Sequence, residues 1–165
     1  MVEASALITQ AIAEQLATVL AVIERLEDQL QKLFSRHPDH DLFEGLPGAG
    51  QALAPRLAAA FGSDRDRYQS AQEVQQFSGV APVTEKSGKT NWVHWRRACP
   101  KFLRQTFHEF AGTSRKKSLW ARAYYERKRQ EGNDHHAAIR SLAFKWRRIL
   151  YRCWKDRTPT MRIAI

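Results

Sequence analysis

Between Ala4 and Phe34 the chain runs without glycine or proline, and Ile12, Leu16, Val19, Ile23, Leu26, Leu30 and Leu33 recur at alternating intervals of four and three. That interval is the heptad signature of a helix that hides one stripe against another helix, so the spacing predicts a coiled-coil helix over residues 1–36. A long amphipathic helix lying on its own domain would carry the same stripe, and pairing with a second helix is the favoured reading. His37-Pro38-Asp39 stops the run, because proline disfavours helical backbone at the residue before it.

Next come Leu42, Phe43 and Leu46, then Pro47-Gly48-Ala49-Gly50 and an Ala/Leu-rich stretch to Phe61. Two helices joined by a Pro-Gly-x-Gly turn have the form of a helix-hairpin-helix over 42–62. Gly48 and Gly50 would let backbone approach a phosphate at the N-H groups that open the second helix, although the same letters also make an ordinary tight turn. Ser70-Ala71-Gln72-Glu73 reads as a capping box for a short helix to about Ser78. Residues 79–92 have no helical period and carry turn residues, which predicts an irregular loop or short strands.

Three helices follow over 98–156. The first opens at Pro100 and runs to Ala111, with Phe102, Leu103, Phe107 and Phe110 on one side; the second spans 118–130. The third is capped by Asn133 and carries the stripe Ile139, Leu142, Ala143, Trp146, Ile149, Leu150 and Cys153, with Arg140, Lys145, Arg147, Arg148, Arg152 and Lys155 opposite. The fold class is mostly α: a coiled-coil helix, a helix-hairpin-helix and a small helical domain. The second domain spans 42–157 and a tail covers 158–165.

Charge changes this picture from a fold into a partner. The net charge is +10, yet Met1–Glu85 holds 6 Lys/Arg against 12 Asp/Glu while Lys86–Arg157 holds 20 against 5. An excess of that size on so short a stretch favours phosphate contact over a merely solvated helix face. Runs such as Arg115-Lys116-Lys117, together with Arg147 and Arg148, are candidate backbone contacts that carry no base specificity. No stretch approaches the ~20 consecutive apolar residues that cross a bilayer, and the N-terminus lacks a leader's layout, so a cytoplasmic protein without membrane partners is expected. Cys99 and Cys153 are far apart and outside any Cys-x-x-Cys arrangement, which argues against a disulfide framework or a zinc site.

The candidate chemistry sits in the loop. Ser87 is flanked by Lys86, Gly88 and Lys89, with Arg96 and Arg97 close behind. A serine hydroxyl needs a base or an anion-stabilising setting to attack; glycine gives access, and the cations would neutralise charge growing on a pentavalent phosphorus. Taken alone, Lys-Ser-Gly-Lys is a weak motif and more often an ordinary exposed turn. His94 could serve as a base, although a loop histidine is more often solvated or stacked. Trp92, Trp95, Trp120, Trp146 and Trp154 read as packing residues, with Trp92 and Trp95 near enough to the cations to touch nucleic acid. His135 and His136 are adjacent, point apart on a helix and make a poor metal pair.

The order Leu46-Pro47-Gly48-Ala49-Gly50, then Phe77-Ser78-Gly79-Val80-Ala81-Pro82, then Ser87-Gly88, then basic helices, resembles the C-terminal domain of transposases of bridge-RNA-guided insertion sequences over Leu42–Asp156. Trp92, His94 and Trp95 depart from its pattern. The resemblance implies a recombinase that joins DNA through a phosphoserine at the position of Ser87, with a structured guide RNA choosing the sequence. It also implies an N-terminal, resolvase-like domain with four acidic residues that bind Mg2+, and a linker helix that makes a homo-oligomer. Glu14, Glu24, Glu27 and Asp28 lack the strand context for such a metal site, so this chain itself is expected to hold no cofactor. The expectation is a DNA-binding transposase fragment, active only when the acidic domain is supplied and associated with the bacterial nucleoid. The alternative is a non-enzymatic, dimeric nucleic-acid-binding module; a membrane-surface protein is disfavoured by the well-formed inward stripes.

Overall fold

The computed structural model describes residues 2–94 and 96–158; Trp95 and residues 159–165, nearly all of the expected tail, lie outside the described residues. The chain divides into two units, Met1–His37 and the part from Pro38 onward.

The first unit is helix α1, Val2–Phe34. Its seven seam residues remain 40–69% exposed. Leu7, Ile8, Leu20 and Val22 are exposed beside them, which widens the apolar stripe beyond a two-position seam. Contrary to the reading of the apolar runs, α1 is long and apolar enough to cross a membrane by length and composition, a test that soluble core helices and leaders also pass.

The second unit begins with α2 (His40–Glu44) and α3 (Gly50–Phe61), with a turn between them. Pro55 lies inside α3 beyond its first turn, where it lacks the N-H that an interior helical residue donates. Helix α4 (Ala71–Phe77) starts with one bond of the capping box, Glu73 N-H donating to Ser70 Oγ at 3.3 Å, while the Glu73 carboxylate accepts from Gln69 N-H at 2.9 Å, one residue before the cap. After α4 the 79–92 region resolves into a two-stranded antiparallel hairpin, β1 (Val83–Ser87) and β2 (Thr90–His94).

Helices α5 (Lys101–Lys117), α6 (Leu119–Gln130) and α7 (His135–Asp156) complete the unit. Helix α5 continues past Ala111, where its apolar period fades. Thr113 and Ser114 hydroxyls bond back to carbonyls of the same helix, and the buried Ser114 Oγ also accepts the Trp146 indole N-H at 2.8 Å. A tertiary contact therefore sets that boundary. The cap of α7 is Asp134, whose carboxylate accepts Ala137 N-H at 2.6 Å; Asn133 instead closes α6 by donating to the Lys128 carbonyl.

Aromatic rings hold these helices together. Phe61 sits against Phe43 at 5.8 Å, Phe107 at 5.8 Å and Trp154 at 5.5 Å, while Trp146 meets Phe110 and Trp120, each at 5.1 Å. The Trp154 indole N-H donates to the Gly62 carbonyl at 2.8 Å, so the buried ring keeps its polar atom paired. Arg65 pairs both guanidinium nitrogens with the buried Asp39 carboxylate and lies 4.7 Å over Trp154. Both cysteine thiols are free.

Candidate functional site

Ser87 ends β1, paired with Thr90 across the two-residue turn Gly88-Lys89. Gly88 takes φ 57° at the first central position, the glycine placement of a type II′ hairpin turn. Pairs alternate between the two faces of a ladder, so Val83, Glu85 and Ser87 share one face with Thr90, Trp92 and His94, and Lys86 projects from the other. Ser87, Lys86 and Lys89 are all exposed.

The same register separates Ser87 from the candidate base. His94 lies four residues beyond Thr90 on β2, roughly 13 Å along the strand. Its Nε2 is 3.0 Å from the Glu85 carboxylate, and its ring stacks on Trp92 at 6.1 Å. The hairpin thus ties His94 to Glu85 and does not deliver it to the serine. Trp92, read as packing, is 69% exposed, whereas Trp146 and Trp154 are buried as expected. A tryptophan can present its face from a two-stranded ribbon because no second sheet covers it.

The remaining sites predicted from sequence fall into three groups. Lys116, Lys117, Arg97 and Arg148 are exposed; Arg96 and Arg115 are half-buried, with Arg115 lying 4.8 Å over Tyr125. Gly50 is exposed with φ 56°, but Gly48 serves packing: a Cβ there would come within 2.9 Å of Thr113 backbone on α5. Arg147 overturns its placement on the outer face. It is 0% exposed, its guanidinium lies 4.2 Å over the Phe107 ring, and Nε and both terminal nitrogens have no hydrogen-bond partner among the described residues. Burial pushes its pKa down to about 9. Following Trp146 directly, Arg147 falls inside an apolar stripe wider than the sequence period implied.

A cavity of about 930 Å3 opens between the base of the hairpin, α5 and α7. Its lining includes the cations Lys101, Arg104 and Arg140 and the imidazoles of His94, His108 and His136. His108 and His136 rings stack at 5.8 Å. Burial first, then the neighbouring His136 and Arg140, holds the His108 pKa below the ordinary imidazole value. The one lining carboxylate is Glu109, which accepts from Arg56 at 2.6 Å and Gln105 at 2.7 Å. Burial works to raise its pKa, but those hydrogen bonds outweigh it and hold it below the usual range. Sequence reading missed this cluster, although its signal was there: Lys101, Arg104 and His108 share one face of α5 by their three-four spacing, as His136 and Arg140 do on α7.

For a divalent metal the hairpin itself offers only Glu85, already engaged by His94. His40, Asp41 and Glu44 cluster on α2, where the imidazole is 3.0 Å from one carboxylate and 3.4 Å from the other. Neither arrangement makes a Mg2+ centre at Ser87.

Residues 40–126 match the family model described as the transposase of the IS116/IS110/IS902 family. The chain is 29% identical over 147 residues to the protein assigned as the mini-circle transposase for IS117 of Streptomyces coelicolor, covering 89% of this chain and 36% of that protein. It is 28% identical over 154 residues to a 42 kDa protein of insertion element IS900 from Mycobacterium paratuberculosis, covering 92% and 38%. It is 29% identical over 153 residues to a 44.8 kDa protein of insertion element IS116 from Streptomyces clavuligerus, covering 90% and 38%. The chain therefore spans a little over a third of the length of these curated relatives.

Proposed function

The chain belongs to the IS116/IS110/IS902 transposase family, and from that premise we propose that it is the serine-bearing part of a DNA recombinase, acting in transposition with Ser87 as the nucleophile. The observation that carries this reading is the exposed hydroxyl at the tip of a hairpin, beside the turn lysine Lys89 and ahead of a strongly basic helical body. Ser87 Oγ bonds to the phosphorus of a DNA strand, the bond from phosphorus to the leaving sugar oxygen breaks, and that oxygen takes up a proton. The serine proton passes to a base that another part of the assembly supplies, since the register keeps His94 away. Attack by a second sugar hydroxyl reverses the chemistry and joins the strands. Lys86, Lys89 and Arg97 supply positive charge for the phosphate oxygens.

The carboxylates of this chain do not fit a Mg2+ site at Ser87, so the metal-binding acidic residues are assigned to a separate domain of the assembly. Helix α1 brings copies together through its seam, a structured RNA is the expected guide, and the working compartment is the bacterial cytoplasm at the nucleoid. A second reading, a dimeric nucleic-acid-binding module without chemistry, is favoured by the same basic body, which needs no nucleophile.

The two separate by trapping. With the acidic domain and Mg2+ supplied, the wild-type chain is expected to give a covalent protein–DNA adduct, and Ser87→Ala none, with DNA affinity changed less than about twofold. Recombination at the wild-type level by the alanine variant would leave only the binding module.

A further inference from the structure

We propose that the cavity between the hairpin base, α5 and α7 is a binding pocket for a single unpaired nucleotide of a nucleic-acid strand, its phosphate held by Lys101, Arg104 and Arg140. This is a site separate from Ser87, and it rests on the nucleic-acid reading above without requiring the serine chemistry.

Three observations carry it. The permanent charge of the lining is mostly positive: Lys101, Arg104 and Arg140 line the space, the lining carboxylate Glu109 is already engaged by Arg56 and Gln105, and Asp134 at the start of α7 acts on Arg140 alone of these three cations. Lys101 and Arg104 form no side-chain hydrogen bond or ion pair among the described residues, so their donors are available for an anion. Such a gathering of like charge repels itself until a polyanion joins it.

Apolar groups share the lining: Val80, Ala81, Pro82, Ala137 and Phe144 offer methyls and an aromatic ring against which a sugar and a base can lie. Cationic and apolar groups in one cavity distinguish a nucleotide pocket from a bare phosphate site. At about 930 Å3 the space admits one such unit, whereas a duplex backbone on an open basic surface would need no cavity.

The third observation is continuity. His94 lines the cavity, and the register puts it on the hairpin face that carries Trp92 and Ser87. A strand whose unpaired nucleotide enters the cavity therefore runs out along that face, over the exposed Trp92 ring, toward the serine hydroxyl. Stacking on an exposed tryptophan is sequence-tolerant, as a guided recombinase requires.

The test uses the full chain and labelled oligonucleotides of about twelve residues: oligothymidylate, oligouridylate and a matched duplex. Arg104→Gln and Lys101→Gln, each checked for unchanged helical circular dichroism, are expected to weaken single-strand binding about tenfold and duplex binding less than about twofold. Preference for one single strand over the other identifies whether DNA or RNA supplies the nucleotide, and either preference supports the pocket. Thymidine 5′-monophosphate is expected to shift the His108 and His136 ring resonances, and thymidine is not. Equal losses for duplex and single strands, unchanged single-strand binding in both variants, or inorganic phosphate competing as well as the nucleotide would overturn the proposal. Ser87→Ala should leave these measurements unchanged, so failure of the nucleophile and failure of the pocket are told apart.

Discussion

Arg147 shows how a charge can be spent on packing. A guanidinium over Phe107, with three nitrogens lacking partners, carries a desolvation cost that the ring only partly offsets. Replacing such a buried charge by an apolar residue of similar volume is commonly neutral or stabilising. Arg147→Met should therefore raise the urea midpoint by on the order of 1 kcal/mol of stability and leave DNA affinity unchanged, whereas Arg148→Gln should weaken DNA binding. A fall in the midpoint for Arg147→Met would mean that the guanidinium has a stabilising role the geometry does not reveal. Gly79 carries the opposite constraint: with φ 69°, and Cys99 Sγ occupying the space a Cβ would need, it closes the base of the hairpin and cannot be exchanged cheaply.

At the scale of elements, periodicity located the helices because each buries a stripe, and the capping box at Ser70 marked a start correctly because it is a local bond. Boundaries set by distant partners were not legible. Helix α5 extends to Lys117 because Ser114 meets Trp146 on α7, a pairing that no window along the chain contains. The serine loop could be read as short strands, but its register, which decides that His94 sits away from Ser87, depends on pairings that turn residues alone do not fix. The cationic cavity had a readable signature on each helix and became a site only when α5 and α7 packed together.

That packing has a pH consequence. His108 feels Glu109 on its own helix and His135, His136 and Arg140 on α7, and it shares the cavity lining with Arg104 and with His94 of the hairpin. Its folded-state pKa lies below the unfolded value near 6.5, so below that pH the unfolded chain binds more protons. Stability is then full above about pH 6.5 and falls as the pH drops through the window between the two values. Urea midpoints at about pH 7.5 and 5.5 should show that fall, and His108→Gln should reduce it. An undiminished fall in the variant would place the effect elsewhere.

Across the whole molecule, charge is divided as sharply as structure. The acidic half contains α1 and the first helices, while the 20 cations against 5 carboxylates from Lys86 to Arg157 lie on the hairpin, on α5–α7 and on the segments that flank those helices. DNA binding should follow counterion release, with log K falling against log salt at a slope steeper than about −5 if six or more phosphates are neutralised. A flat response between low and moderate salt would remove both nucleic-acid readings.

The hairpin is only two strands, and beyond Val83 every β1 side chain is exposed. An isolated ribbon of that kind is marginal in water. Its aim is therefore settled by whatever clamps it, whether substrate or another domain. Under the proposed recombinase reading, a lone copy would hold the Ser87 hydroxyl unaimed, and clamping of the ribbon would be what aims it.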